Sequence, residues 1–204
     1  MYNNSLICIT ERKIVNGDFL QRVEEIATMH PKAIILREKD LSFDEYITLA
    51  KKVSTICQHH NVMCILNWRD ALPKVSNCCT QLPFHRRLEK PVNCPFGISI
   101  HSIQESLILA DSDAKWLLAG HIFQTTCKPG EVPRGIEFLK DVVSCSKQPV
   151  YAVGGITPDN VFNVLNAGAK GYCVRSPLMI ANDVKSIITE YYNAEFEYKK
   201  NFSK

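Results

Sequence analysis

Short apolar runs alternate with longer amphipathic stretches along most of this 204-residue chain. The apolar runs are not broken by polar positions, which is typical of parallel strands that are covered on both faces. Strands are therefore predicted at residues 6–10, 33–37, 62–66, 78–82, 97–101, 114–120, 149–155 and 171–175.

Between these runs, apolar positions recur at helical spacing, as in the stretch 17–30. Ser42 with Glu45, and Ser102 with Glu105, have the capping-box spacing that satisfies free N–H groups at a helix start. At most a short helix is expected at 70–77, and residues 83–90 have little helical character. The helices are predicted at 17–30, 42–60, 102–113, 134–147, 157–169 and 182–200.

Eight strand–helix units in sequence predict a single (β/α)8 barrel, the TIM-barrel architecture, over residues 1–204. A doubly wound open sheet remains the alternative, because the weak helices between residues 70 and 90 leave the count of units open.

Charge and composition restrict the classes of binding partner that the sequence suggests. The 24 basic and 21 acidic residues give a net charge of +3, which indicates neither a nucleic-acid nor a membrane surface. No apolar run approaches the ~20 residues that cross a bilayer, and the N-terminus lacks a signal-peptide pattern. We therefore expect a cytoplasmic protein. A homo-oligomer stays open, because the aromatic last helix could cover either the barrel or a second subunit.

Nine cysteines are present, an odd number with no C-x-x-C pair. In a cytosolic chain they are expected to be small buried hydrophobes, and their spacing does not favour a structural zinc site.

In such a barrel, ligands bind where strands end and the loops to the helices begin. Polar residues at these points are hard to explain by packing alone. They are Thr10, Arg37, Lys39, Asn67, Arg69, Gln81, Ser99, His101, His121, Arg175 and Ser176, together with the pair Gly154–Gly155.

The loops after the seventh and eighth strands predict a phosphate site at Gly154, Gly155, Arg175 and Ser176. Glycine lets an anion approach the backbone N–H groups closely. The alternative is that the two glycines only form a tight turn.

His121 is the candidate catalytic residue, because an imidazole with a pKa of ~6.5 can take and give a proton near neutrality. Lys128, in the loop that follows, is expected to reach an anionic ligand, and Arg37 and Lys39 can clamp a carboxylate or a phosphate. His101 is a second candidate for acid–base work. Each also has a simpler interpretation: the two histidines could only form hydrogen bonds within the protein, Lys128 could be solvated, and Arg37 could form a structural ion pair with Glu38 or Asp40.

Four segments carry a family resemblance: "LREKDLSFDEYITLAKKV", "GISIHSIQESL", "GHIFQTTCKPG" and "VGGITPDNVFNVLNAGAKGYCVRSPL". In this order they resemble the thiamine-phosphate synthase superfamily, which implies the barrel fold. The synthases bind Mg-pyrophosphate through aspartates after strands three and four. Here Trp68 stands where the first aspartate belongs, and "QLPFHRR" carries no acid.

These departures make the chain similar to the thiazole tautomerase branch, whose strand-six and strand-four motifs match "GHIFQTTCKPG" and "QLPF". That resemblance implies an isomerase that shifts a proton on a carboxythiazole phosphate, with His121 as the base and no metal or cofactor. It places Arg37 and Lys39 near the substrate's carboxylate and the phosphate loops at Gly154, Gly155, Arg175 and Ser176. Asn67, Ser99, His101 and Lys128, from their positions at strand ends and in the loop after strand six, are also expected to bind the substrate. A diverged thiamine-phosphate synthase and a non-catalytic regulatory protein that binds a phosphorylated ligand remain as alternatives.

Overall fold

Eight parallel strands close into a barrel in the computed structural model, which describes residues 4–69, 75–126 and 128–202. Each strand pairs with the next along the chain, and the last pairs with the first. The predicted (β/α)8 barrel is confirmed. The alternative, an open sheet, is wrong, because each of its two edge strands would have a neighbour on one side only, whereas here β1 pairs with β8. The strands are β1 (Leu6–Ile9), β2 (Ala33–Leu36), β3 (Met63–Asn67), β4 (Cys78–Pro83), β5 (Phe96–Ile100), β6 (Trp116–Gly120), β7 (Val150–Val153) and β8 (Gly171–Val174).

Helices cover the outside of this barrel. In the described residues they are α1 (Phe19–Ala27), α2 (Phe43–His59), α3 (Ile103–Ile108), α4 (Gly135–Cys145), α5 (Pro158–Asn166), α6 (Ser176–Ile180) and α7 (Val184–Phe202). Two short 3-10 turns, Arg12–Ile14 and Phe84–Arg86, follow β1 and β4. The Ser42–Glu45 capping box is confirmed at the start of α2.

One predicted helix needs correction, one helix was not predicted, and one expectation stays open. The helix predicted at 102–113 stops at Ile108, and the five residues of α6 were too few to show a helical period in the sequence. The weak helix at 70–77 falls largely on residues 70–74, which lie outside the described part of the chain.

The apolar runs divide into two layers because successive strand side chains point to opposite faces. Leu6 and Cys8 pack outward against the helices, whereas Ile7 and Ile9 belong to a separate buried cluster inside the barrel. Trp116 is the largest side chain of this inner cluster. The continuous apolar pattern of the sequence therefore reflects burial on both faces of each strand.

A polar chain of three side chains crosses the inner cluster. Trp116 donates its indole N–H to Oε1 of the buried Gln81 at 2.8 Å, and Nε2 of Gln81 donates to Oγ of Ser99 at 3.0 Å. Gln81 and Ser99 are thus hydrogen-bonded to neighbouring strands of the barrel itself. Their polar side chains, which suggested contact with a ligand, form hydrogen bonds that hold strands of the barrel together.

The cysteines of the described residues are free thiols, and Cys8, Cys64 and Cys173 are buried as expected. Cys79 is half-buried, and burial raises its pKa to about 11. Cys127 lies outside the described residues.

The aromatic helix α7 packs on the barrel through its tyrosines. The hydroxyl of Tyr191 donates to the carbonyl of Ile156 at 2.9 Å, and that of Tyr192 donates to the carbonyl of Met29 at 2.8 Å. Within the described residues, no helix is both long enough and apolar enough to cross a membrane.

The polar chain through Gln81 gives the first testable prediction. Trp116→Phe should lower the free energy of unfolding by about 1–3 kcal/mol, because it leaves a buried amide oxygen without a donor. Chemical denaturation measures the change. Adding Gln81→Leu should recover part of the loss, since it removes the unpaired amide oxygen; the Ser99 hydroxyl then loses its donor, which limits the recovery. Additive losses in the double variant would show that the two side chains are not coupled.

Candidate functional site

A cavity of about 410 Å³ lies at the carboxyl ends of the strands, between the loops that follow β6, β7 and β8. Six of the residues predicted for the site line it: Arg37, Lys128, Gly154, Gly155, Arg175 and Ser176. The lining contains three cations and no acidic side chain among the described residues. This cavity is the candidate ligand site.

The glycine pair after β7 allows another part of the chain to approach. Both glycines have positive φ, +100° at Gly154 and +67° at Gly155. A Cβ on Gly154 would lie 2.3 Å from Cβ of His121, and one on Gly155 would lie 2.4 Å from the carbonyl oxygen of Gln124. The loop after β6 therefore packs directly on the glycines, which are required for backbone packing whether or not a ligand also approaches them.

The loops after β1 and β2 are held together by a buried carboxylate. Glu38 accepts hydrogen bonds from the hydroxyl of Thr10 at 2.6 Å and from the backbone N–H of Arg12 at 3.0 Å. Burial raises the pKa of Glu38, and the bonds from Thr10 and Arg12 oppose that shift. The Thr10 hydroxyl also accepts from the backbone N–H of Arg37 at 3.1 Å. This network fixes the backbone from which Arg37 reaches the cavity.

Arg175 is paired with an acid of the loop after β1, and Lys128 is paired with an acid of its own loop. Arg175 forms an ion pair with Glu11 at 2.9 Å, and Lys128 forms one with Glu131 at 2.9 Å. Both pairs lie at the rim and are partly exposed, so each partner can be exchanged for an anionic ligand at small cost.

Lys39 does not line the cavity, but it lies in the field of the same cations. The charge of Arg37 is the largest cause that lowers its pKa, followed by burial and by the charges of Arg175, Arg69 and Lys128. Five basic side chains from four loops therefore repel one another at this end of the barrel. An anion bound among them would relieve that repulsion.

His121 is buried, and among the described residues neither of its ring nitrogens has a hydrogen-bond partner. It lies behind Gly154 and is not among the described residues that line the cavity. Buried polar atoms without a partner are uncommon in folded proteins, so the two ring nitrogens of His121 require an explanation. Its catalytic role stays a prediction.

Three other predicted residues lie apart from the cavity. Asn67 donates its amide N–H to the carbonyl of Trp68 at 3.0 Å, and Ser99 belongs to the polar chain with Gln81. His101 is exposed beside Glu105, whose carboxylate accepts its backbone N–H at 2.5 Å and lies 3.7 Å from its Nδ1. Burial is the main cause that lowers the pKa of His101, and Glu105 opposes it. Substrate contact by these three residues remains a prediction.

The described residues that follow β3 and β4 offer a poor set of ligands for a magnesium ion. Mg²⁺ is held by carboxylates and phosphates, and the described positions 67–69 and 81–87 carry no carboxylate. Arg86 instead stacks on the ring of Trp68 at 4.6 Å, and Arg69 donates to the carbonyl of Glu38 at 2.8 Å. Asp70 lies outside the described residues. The described residues at this edge of the barrel do not fit Mg²⁺.

Sequence reasoning assigned no role to three threonines of the cavity, Thr125, Thr126 and Thr157. The first two belong to the loop after β6. The polar composition of that loop was the feature of the sequence that could have indicated their contact with a ligand. Thr157 precedes α5 and, with Asn160, forms a capping box.

Fold and cavity together define a (β/α)8-barrel protein with a cation-lined candidate site at the carboxyl ends of its strands. The family model described as thiamine monophosphate synthase matches residues 6–76 and 86–178. This chain belongs to the thiamine-phosphate synthase family, a family of thiamine-biosynthesis enzymes.

Named relatives agree with this membership. The "Putative thiamine-phosphate synthase 2" of Aquifex aeolicus is 33% identical over 172 residues, which cover 81% of this chain and 92% of that protein. The "Thiamine-phosphate synthase" of Fusobacterium nucleatum is 29% identical over 188 residues, or 88% of this chain and 91% of the relative. A solved thiamine phosphate pyrophosphorylase from Pyrococcus furiosus superposes with a TM-score of 0.82 at 27% identity and covers 95% of this chain and 96% of its own.

These relatives correct the expected enzyme class. The sequence motifs suggested a thiazole tautomerase, an isomerase, and made synthase activity unlikely. The relatives at 28–33% identity over most of the chain instead carry the name of a transferase, thiamine-phosphate synthase. The isomerase assignment is therefore wrong. It relied on two short motifs and on missing aspartates, which mark divergence without specifying a new reaction.

The packing of the β6 loop on the glycines gives a prediction. Gly155→Ala should lower the free energy of unfolding by about 2–4 kcal/mol, because the new methyl group meets backbone and the positive φ is strained. Denaturant unfolding measures this loss.

Gly168→Ala is the matched control. Its φ is also positive, at +88°, but the added methyl group meets only the side-chain end of Val143. It should therefore cost clearly less than Gly155→Ala. Equal losses at the two positions would show that the loop contact contributes nothing beyond backbone strain.

Proposed function

We propose that this protein is a transferase of the thiamine-phosphate synthase type, diverged at its pyrophosphate side, that binds a phosphorylated thiazole in the 410 Å³ cavity. The observation that carries the proposal is a cavity lined by three cations and no described acid, in a chain of this family. The names of its relatives supply the reaction class.

In this proposal the thiazole's phosphate lies between the glycine pair and the end of β8. Backbone N–H groups at Gly154 and Gly155 approach the phosphate oxygens without interference from a side chain. Arg175 and Ser176 bind the phosphate from the neighbouring strand end, and Arg37 contacts it from β2. Lys128 then neutralises the remaining charge from the loop after β6. All these residues line one cavity, which supports a shared ligand.

The second substrate's pyrophosphate would lie toward Lys39 and Arg69. The mutual repulsion of the basic groups there supports an anion with more than one negative charge. Guanidinium and ammonium groups stabilise the charge that develops on a leaving phosphate oxygen, which is the electrostatic help that transfer requires. In this proposal the basic side chains of the protein stabilise the pyrophosphate as it leaves.

His121 fits this proposal as a ligand-contacting residue. A buried imidazole that packs against Gly154, with no partner for either nitrogen in the described part of the chain, can donate a hydrogen bond to one atom of a bound ligand and accept one from another. Because His121 does not reach the cavity surface as described, the contact requires the loop after β6 to shift when ligand binds.

Substitution of Arg175 and of its partner Glu11 tests whether Arg175 binds the phosphate. Arg175→Met should weaken binding of the thiazole phosphate by about 10–100-fold, the effect of losing a charge-assisted hydrogen bond. Glu11→Gln removes only the competing carboxylate, so affinity should stay equal or increase. Isothermal titration calorimetry measures both. Equal weakening by the two variants would show that the ion pair shapes the loop and that Arg175 does not bind phosphate.

A transfer assay tests the reaction itself. With thiazole phosphate and a pyrimidine pyrophosphate supplied together, we expect thiamine phosphate and released pyrophosphate. Binding of the thiazole phosphate without product, with or without Mg²⁺, would reject the transferase and favour a regulatory protein.

Magnesium dependence tests the divergence of the pyrophosphate side. In calorimetry, the affinity for inorganic pyrophosphate should change less than about 3-fold when Mg²⁺ is added, because the described strand ends offer no carboxylates to hold the ion. A gain of 10-fold or more with Mg²⁺ would show that other residues complete a metal site.

A further inference from the structure

A second group of ligating side chains lies at the opposite end of the barrel, where α1 and α2 end. Glu24 of α1, His59 at the end of α2 and His60 directly after it each offer one ligand atom, and these atoms lie within 4.8 Å of one another. Among the described residues, no other group of three or more such side chains comes this close together.

The local fold sets this arrangement. His60 ends α2 with φ −96° and ψ 7°, and its N–H donates to the carbonyl of Ile56 at 3.2 Å. The departure from helical geometry turns two consecutive histidines toward the same space, with ring centroids 4.8 Å apart. His30 faces the carbonyl of His60 through Nδ1 at 3.0 Å and so fixes the chain from a third side.

Nε2 of His60 and Oε1 of Glu24 are already in direct contact, as a hydrogen-bonded pair. Their side chains are 17% and 43% exposed, so the pair is screened by the protein on one side and reached by solvent on the other. A metal ion can replace the shared proton and use the same two atoms, and the exposed His59 can rotate to complete a third bond. Bonds of about 2.0–2.2 Å at a tetrahedral ion place its ligand atoms about 3.4 Å from one another, so His60 and Glu24 must separate slightly to admit the ion while His59 moves inward.

The chemistry of the ligands selects the ion. Two imidazoles and one carboxylate suit Zn²⁺, Co²⁺ and Ni²⁺, whereas Mg²⁺ and Ca²⁺ prefer oxygen ligands throughout. The carboxyl end of the 17-residue helix α2 adds a favourable electrostatic contribution, because its last carbonyl groups carry partial negative charge.

We propose that Glu24, His59 and His60 form a binding site for a divalent transition-metal ion, completed by water, that ties the end of α1 to the end of α2. The site lies at the amino-terminal face of the barrel, where residues serve stability and not catalysis. It is independent of the proposed transferase reaction.

Titration with Co²⁺ under reducing conditions tests the site through its visible spectrum. We expect absorption bands of a nitrogen- and oxygen-ligated ion that saturate at micromolar metal. Excess metal should raise the thermal midpoint of the protein by about 5–10 °C. His59→Gln should weaken Co²⁺ binding at least 10-fold without disturbing the fold, since His59 is exposed. His60→Gln should abolish binding.

His85→Gln, at another exposed histidine, is the matched control and should bind Co²⁺ like the parent protein. Equal loss in the control, unchanged binding in the His59 and His60 variants, or an intense thiolate charge-transfer band would each overturn the proposal. The last result would place the ion on cysteines.

Discussion

The close packing of the β6 loop on Gly154 and Gly155 is the contact on which the candidate site depends. It brings the loops after β6, β7 and β8 together, and these loops supply most of the cavity wall. Any side chain at either glycine would push residues 121–124 away. The same contact keeps His121 buried behind the glycines, so one packing requirement positions both the anion-facing wall and the imidazole.

Electrostatics then determine what such a cavity can hold. The chain as a whole carries a net charge of only +3, yet basic side chains from several loops converge at one end of the barrel. Glu38 is used to hold the first two loops together, whereas Glu11 and Glu131 form partly exposed ion pairs with Arg175 and Lys128 at the rim, which an anionic ligand can replace. Positive charge is therefore concentrated by the fold, and a phosphorylated ligand matches it. The same distribution explains why the edge formed by β3 and β4, with Trp68 under Arg86, suits an anion better than a magnesium ion.

Much of this could be predicted from the sequence. Uninterrupted apolar runs and the Ser42–Glu45 cap predicted the barrel and its helices, because these signals are local. The carboxyl ends of the strands correctly pointed to Arg37, Arg175 and the glycine pair as neighbours. The depth of each side chain along the barrel axis could not be predicted, because it depends on the tilt and register of the strands. Ser99, for example, pairs in register with Pro83 and Leu118 and accepts its hydrogen bond from Gln81. The predicted enzyme class was also wrong, because short motifs identify the family of a protein more reliably than they identify its reaction.

A crystal structure of the protein with a bound thiazole phosphate is the most direct test of the central claim. We expect phosphate density within hydrogen-bonding distance of the backbone of Gly154–Gly155 and of the Arg175 side chain, with His121 turned toward the ligand. Phosphate density beside Trp68 and Arg86, with the glycine pair in contact only with the β6 loop, would contradict it.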